Sequence, residues 1–362
     1  MSAPIRIAFL LPHLRPGGAE RVVLNYLRAL DRSRFAPYLF LARAEGAFLQ
    51  LLPADVPVVP LGGRARGLPP RLARALRGHR IHILYSATDA MNLAAAASRW
   101  FGAGSTKRIL SVHTDPAAQM AEARRPWLRR FLVRRLYRSA DLVAVPTDAI
   151  GAQVQTLVGR TLPLSTLPNP VVEHIRASAP PSPSGPFRIA AAGRLAEAKG
   201  HDLLIDAAAI LAAEGRDIAV DIYGEGVLRA ALARRIEAGG LLGRVHLRGH
   251  QPDLARAFAG AHLCALPSRR EGFGNVAVEA MAAGLPVLAA ACSGPASFID
   301  HRRNGFLVPP GDAAALAAAI AAAMDDPAAL SGVIDPARET ARAFEVAAAT
   351  RQFETAAAAL LR

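Results

Sequence analysis

Lysine is nearly absent from this 362-residue chain: 41 of its 43 basic residues are arginine, and only Lys107 and Lys199 are not. Cysteine is almost as scarce. Cys264 and Cys292 both lie in apolar runs, which excludes a disulfide framework and fits two core thiols in a reducing compartment. Aromatic residues make up 6% of the chain. With no stacking platform and no RNA-binding motif among them, nucleic acid is not an expected partner. The chain has no Asp-x-Asp triplet and no His/Cys cluster at metal-ligand spacing, so no catalytic metal is predicted. Asp325 and Asp326, adjacent and followed by a proline, read as a helix cap or a solvated turn. No apolar run reaches the roughly 20 residues of a membrane span, and the alanine-rich stretch 313–324 is too short. The opening strand-like run IRIAFLLP leads straight into a glycine-rich loop and reads as a buried first strand, not a signal peptide. The expectation is a soluble or peripheral protein.

What remains is globular in composition, 52% hydrophobic and 20% charged, and long enough for two domains of roughly 150 to 200 residues. The net charge of +14 is unevenly placed. Residues 1–170 hold 24 basic against nine acidic side chains, while residues 171–362 hold 19 against 20. A basic first half attracts phosphate-bearing substrates, anionic lipid or nucleic acid, and charge alone does not choose among them. From Arg124 to Arg138 the chain reads RRPWLRRFLVRRLYR, with Trp127, Leu128, Phe131, Leu132 and Leu136 at helical spacing. That pattern suits a helix lying in an anionic membrane interface. It also suits an ordinary helix whose apolar stripe faces its own core.

The first half alternates strand-like runs (IRIAFLLP, APYLFLA, VPVVPL, IHILYSA, RILSVH, DLVAVPT) with helical stretches, the first helix running from about Ala19 to Leu30. Such alternation predicts a doubly wound α/β domain. Proline and serine then accumulate, and apolar runs resume at FRIAAAG, IAVDIYG, RVHLRGH, AHLCALP, LPVLAAA and GFLVPP. The predicted organisation is a first domain over 1–168, a linker over 169–186 and a second domain over 187–340. A final helix, from about Pro336 to Leu361, is expected to cross back over 341–362. Ligands of open α/β sheets bind beyond the carboxyl ends of strands, and each candidate motif follows a strand.

The most informative of these motifs is EGFGNVAVE, in which Glu271 and Glu279 flank the start of a helical pattern with seven residues between them. A helix N-terminus carries unpaired N–H groups and partial positive charge, so it suits an anion such as a diphosphate. The stretch resembles the E-x7-E signature of retaining nucleotide-sugar glycosyltransferases of family 4, which have the GT-B fold of two Rossmann-like domains facing a cleft. Around it, in the family's order, stand PGGAE at 16–20, SVHT at 111–114, LPNPV at 167–171, GRLAEAKG at 193–200, YGEG at 223–226, LRGH at 247–250 and NGFLVPPGD at 304–312.

The resemblance implies roles for named residues. Gly17 and Gly18 lie between donor phosphate and acceptor, with Glu20 starting the helix. Arg194 and Lys199 stabilise the charge that develops on the nucleotide diphosphate, in place of a metal, Arg194 as a fork and Lys199 as a compact point charge. His113 lies near the donor sugar. Glu271 contacts its hydroxyls, although a carboxylate pair also reads as the apparatus of a double displacement. Glu279 binds the ribose diol, and the amides of Phe273, Gly274, Asn275 and Val276 meet sugar hydroxyls and phosphate. Gly224 borders the base, and His250 is a candidate for uracil recognition. In SGPASFID the family often has Glu where Ser297 stands.

The implied activity is metal-independent, retaining transfer of a hexose or N-acetylhexosamine from a UDP-sugar to a glycan or lipid-linked acceptor in bacterial polysaccharide or lipopolysaccharide assembly. The implied place is cytoplasmic, peripheral at the inner face of the cytoplasmic membrane. A GDP-mannose donor, a nucleotide-sugar 2-epimerase of the same fold, and a non-catalytic basic protein stay open at this point.

Overall fold

The computed structural model describes residues 3–362 apart from 63–66, 115, 117–119, 121–122, 124, 177–184 and 252. It divides into two compact units, one comprising residues up to Val171 together with Val346–Arg362, the other Val172–Glu345.

In the first unit the apolar runs become seven strands: β1 (Ile5–Leu11), β2 (Phe35–Leu41), β3 (Val58–Pro60), β4 (Ile83–Ala87), β5 (Lys107–Ser111), β6 (Leu142–Val145) and β7 (Leu164–Thr166). They pair in parallel in the order β3-β2-β1-β4-β5-β6-β7. The central strands β1, β4, β5 and β6 are buried almost throughout, so they read as continuous apolar runs, as strands covered on both faces do. Helices α1 (Gly18–Ala29), α2 (Leu68–Gly78), α3 (Asp89–Ala97), α4 (Pro126–Leu136) and α5 (Asp148–Val158) accompany them. The short strand β7 was not anticipated, because its residues fall where proline and serine begin to accumulate.

One arginine of the basic excess is not at the surface. Arg108, on β5, is wholly buried. Its guanidinium donates to the carbonyls of Ala95, Thr106 and Ala103 at 2.9, 2.6 and 2.6 Å. Burial lowers its pKa to about 10, and the carbonyls meet the buried donors.

The second unit holds β8 (Phe187–Ala192), β9 (Ile218–Tyr223), β10 (Val245–Gly249), β11 (Leu263–Leu266), β12 (Val287–Ala290) and β13 (Phe306–Val308). Their order is β10-β9-β8-β11-β12-β13, again parallel. Between and after them run α6 (His201–Ala213), α7 (Arg229–Ala238), α8 (Leu254–Phe258), α9 (Asn275–Ala282), α10 (Ala313–Asp325), α11 (Pro327–Gly332) and α12 (Ile334–Arg342). Asp326 caps α11, its carboxylate accepting from the Ala329 amide at 2.9 Å. Asp325 instead pairs with Arg216. Cys264 and Cys292 are buried free thiols.

The expected single helix over 336–361 is two. Between α12 and the last helix, α13 (Val346–Ala359), the Val172 amide takes the Phe344 carbonyl at 3.0 Å, and Val172 bridges Glu345. The Phe344 ring packs on Phe273 and Phe298. These contacts interrupt the helical hydrogen-bond ladder. Helix α13 belongs to the first unit, where the ring of Phe353 lies 4.5 Å from that of Tyr26. The segment expected as linker is structured at its start. Residues up to Val171 group with the first unit, the Arg176 amide donates to Ala282 O at 2.8 Å, and 177–184 lie outside the described residues.

Candidate active site

Strands β8 and β11 are neighbours, Leu263 pairing with Ile189 and Cys264 with Ala190. At this point the strand order reverses, and an open α/β sheet leaves a crevice beyond the carboxyl ends there. The loop after β8 carries Arg194 and the 3-10 turn Glu197–Lys199; the loop after β11 carries Ser268 to Gly274.

Backbone bonds join the two loops. The amides of Arg269 and Arg270 both donate to Ala198 O, at 2.9 and 3.3 Å. Gly200, with φ of +64°, sits against Pro267 O so closely that a Cβ would approach it to 2.0 Å. Only glycine meets both conditions. The consequence is an ion pair: Lys199 Nζ lies 2.5 Å from Glu271 Oε2, and Ser268 Oγ donates to the same oxygen at 3.1 Å. Arg269 reinforces the junction with a fork on Asp202, 2.7 Å to each carboxylate oxygen. That hydrogen bonding holds the Asp202 carboxyl below its usual range.

Helix α9 begins at Asn275, with Gly274 as its N-cap in the left-handed region. The amides of Asn275 and Val276 fall in the first turn, whose N–H groups have no acceptor within the helix. Phe273 is buried, its ring 5.1 Å from those of Phe298 and Phe344, so it anchors the turn while its backbone borders the site. Glu279 is half-buried on α9. It lies near Cys264, whose thiol is pushed up by burial and further by the Glu279 charge. At the neighbouring turn, Ser297 Oγ donates to Gly294 O at 2.6 Å, a loop-capping role for the residue that stands where the family often has Glu.

Arg194 is exposed in the loop after β8. Gly224 follows β9 and lies against Gly193 O, where a Cβ would come within 1.9 Å. Its amide donates to Gly249 O at 2.7 Å, so the loops after β8 and β9 meet the end of β10. His250 is exposed directly after β10. The second unit thus gathers Arg194, Lys199, Gly224, Glu271, the 273–276 turn and Glu279 at one end of its sheet.

The first unit holds the remaining candidates at its own strand ends. Gly17 is the N-cap of α1, in extended backbone, and Gly18 begins the helix. The Glu20 carboxylate stands over Gly17, and Glu20 Oε1 is 3.7 Å from His13 Nδ1, so a carboxylate of the chain itself lies at this helix start. His113 comes two residues after β5 and does not end the strand. Its Nε2 lies 2.9 Å from Ser111 Oγ and 3.3 Å from Tyr85 OH. Burial lowers its pKa to about 4, against an opposing hydrogen bond from Asn169. The imidazole is therefore neutral at physiological pH.

Sequence reasoning passed over Ser268, the Arg269–Asp202 fork and His201. His201 is buried beside Lys199, with its pKa lowered to about 4 by burial and then by the Lys199 charge. The immediate proximity of Ser268 and Arg269 to Glu271 was a signal; Asp202, 67 residues from Arg269, gave none before the loops were seen to meet.

Comparison with known proteins agrees with this architecture. Residues 16–174 match the model of Glycosyltransferase Family 4, and 186–326 match that of Glycosyl transferases group 1. The GtfA subunit of the UDP-N-acetylglucosamine--peptide N-acetylglucosaminyltransferase of Streptococcus gordonii is 33% identical over 174 residues, 47% of this chain and 34% of that protein. The amylovoran biosynthesis glycosyltransferase AmsK of Erwinia amylovora is 39% identical over 141 residues, 37% of this chain and 35% of that protein. The alignments thus span about a third of these relatives' own length. Anabaena HepE, solved in complex with UDP and glucose, superposes with a TM-score of 0.85 over 98% of this chain and 100% of that one, at 24% identity, a likeness of fold. With two family models covering most of its length and two parallel sheets of that architecture, the chain belongs to the group 1, family 4 glycosyltransferases of GT-B fold.

Proposed function

We propose that the protein is a retaining, metal-independent glycosyltransferase that moves a hexose or N-acetylhexosamine from a UDP-sugar to a glycan or lipid-linked acceptor. The observation that carries this reading is the Lys199–Glu271 pair at the switch point of the second sheet, beside the N-terminus of α9. An ammonium has three donors, and Glu271 uses one of them. The others face a diphosphate, as does the fork of Arg194, and together they stabilise the charge that grows on the leaving nucleotide as the glycosidic bond breaks. Glu271 then binds donor-sugar hydroxyls and Glu279 the ribose diol. In the first unit His113 offers a neutral imidazole to the donor sugar, and the loop of Gly17 and Gly18 borders the acceptor. Configuration is retained by attack from the face of the leaving group, with a diphosphate oxygen taking the acceptor's proton.

The donor nucleotide is supported by a neighbour of like fold solved with UDP and glucose. The acceptor class is supported by a relative named for amylovoran biosynthesis. The pathway we propose is bacterial polysaccharide or lipopolysaccharide assembly, with the protein peripheral at the inner face of the cytoplasmic membrane.

The test is a thermal-shift panel of UDP, GDP, ADP and their sugar conjugates in EDTA, on wild type and Glu279→Ala. Stabilisation by uridine ligands that the substitution removes supports the reading; no stabilisation by any nucleotide overturns it. Incubating the UDP-sugar without acceptor separates transfer from 2-epimerisation, since only an epimerase converts the sugar then.

A further inference from the structure

Helix α4 divides its side chains in a way the sequence pattern did not anticipate. Trp127, Leu128, Phe131, Leu132 and Leu136 were expected to form one stripe, but Val133 and Leu136 enter the core and Leu132 packs at its edge. Trp127 and Phe131 stay outside, 71% and 61% exposed. At about 100° of turn per residue, Trp127, Phe131 and Arg134 fall on one outward face, with Arg130 and Arg135 on its flanks. All three arginines are exposed, and the helix carries no acidic residue. Arg129 points the other way and pairs with Asp89, whose side chain is 7% exposed. Arg134 Nε also donates to Leu157 O at 2.9 Å. The helix is therefore held to the body of the unit by its inner side and by the Arg134 Nε bond, while its outer side offers two large rings set among guanidinium groups.

Each half of this face is costly or idle in water alone. Neighbouring exposed aromatic rings on a helix leave apolar area unburied, and clustered cations without acids repel one another. An anionic lipid surface answers both: rings settle at the boundary between headgroups and acyl chains, and arginines reach lipid phosphates with their stems along the apolar layer. We propose that the outward face of α4 docks on an anionic bilayer, with Trp127 and Phe131 in the interface and Arg130, Arg134 and Arg135 on lipid phosphates. The excess charge of residues 1–170, 24 basic against nine acidic, adds long-range attraction to the same surface. This inference does not rest on the transfer reading: failure of nucleotide binding leaves it standing, and its own failure leaves nucleotide binding untouched.

The chain has only two tryptophans, Trp100 and Trp127. In full-length Trp100→Phe protein, Trp127 alone reports. Vesicles of phosphatidylcholine containing phosphatidylglycerol are expected to shift its emission to the blue, and lipids brominated along the acyl chain to quench it. Phosphatidylcholine alone should do neither. Phe131→Ala with Arg130→Gln and Arg135→Gln should weaken vesicle binding at least tenfold without moving the melting temperature, since all three side chains are exposed. Vesicle binding that leaves Trp127 emission unchanged, or that survives the triple substitution, overturns the proposal. So does capture of RNA or an acidic protein by this face with no binding to anionic vesicles.

Discussion

Lys199 Nζ lies 2.5 Å from Glu271 Oε2 across two loops that leave neighbouring strands. The cation and the carboxylate, which the proposed function gives to a diphosphate and a sugar, thus hold each other in register. On the proposed function Lys199→Ala removes the charge-stabilising group for the leaving phosphate, so that turnover of donor, read as UDP release, is expected to fall by roughly 10²- to 10³-fold. Lys199→Arg should restore little, because a planar fork does not replace a compact ammonium at this spacing. Comparable kcat for wild type and Lys199→Ala would remove the lysine from the chemistry.

The Arg269–Asp202 fork joins the loop after β11 to the start of α6. The folded pKa of Asp202 is depressed, chiefly by its hydrogen bonds to Arg269. The stability it adds is therefore present above the ordinary carboxylate pKa of about 3.9. It is lost as pH falls through the lower, folded value. Asp202→Asn should melt below wild type at neutral pH, and the gap should close in strongly acidic buffer. Melting curves from pH 7 downward check this; a gap that persists at the acid end assigns the effect to something other than the ionised pair. Exchanging the two charges, Asp202→Arg with Arg269→Asp, should recover donor affinity that either single change loses.

Much of this arrangement was legible in the chain. Both sheets appeared as apolar runs because strands covered on two faces need no alternation, and the loops after them could be placed by their glycines. Lys199 stood out because the chain otherwise uses arginine. Contacts between distant segments were not legible: Asp202 with Arg269, or Tyr85 with His113. Nor was the break between α12 and α13, since the signal for it lies at Val172. The α4 stripe was misdivided because periodicity shows which residues share a side of a helix, not how wide a sector the core covers.

Phe353 ties α13 into the first unit, wholly buried against Phe9, Tyr26 and Tyr85. Emptying that ring position costs the transferred area and leaves a cavity, together about 3–5 kcal/mol. Phe353→Ala is expected to show this loss as a shifted denaturant midpoint. Phe353→Leu should recover part of it. An unchanged midpoint would mean that α13 docks without its ring. Beside it, the Glu354 carboxylate accepts from the Asp31 amide at 2.8 Å and from Arg34 at 3.2 Å, so Glu354→Ala should add a separate loss.

His113 and His201 each have a pKa lowered to about 4 in the folded protein, primarily by burial. In the unfolded chain each takes up a proton near the ordinary histidine value of about 6.5. Between these limits the unfolded state binds more protons, so folding stability is expected to fall as pH drops from about 6.5 toward 4. The slope should flatten below that, once the folded rings also protonate. His113→Gln should remove part of the slope and leave the His201 share. Above pH 6.5 the two proteins should show parallel stability profiles, because both imidazoles are already neutral in both states. Ring-proton NMR of the folded protein gives the direct check: an imidazole of His113 that titrates near 6.5 would contradict its burial beside Ser111 and Tyr85, and with it the neutral ring assigned to the donor sugar.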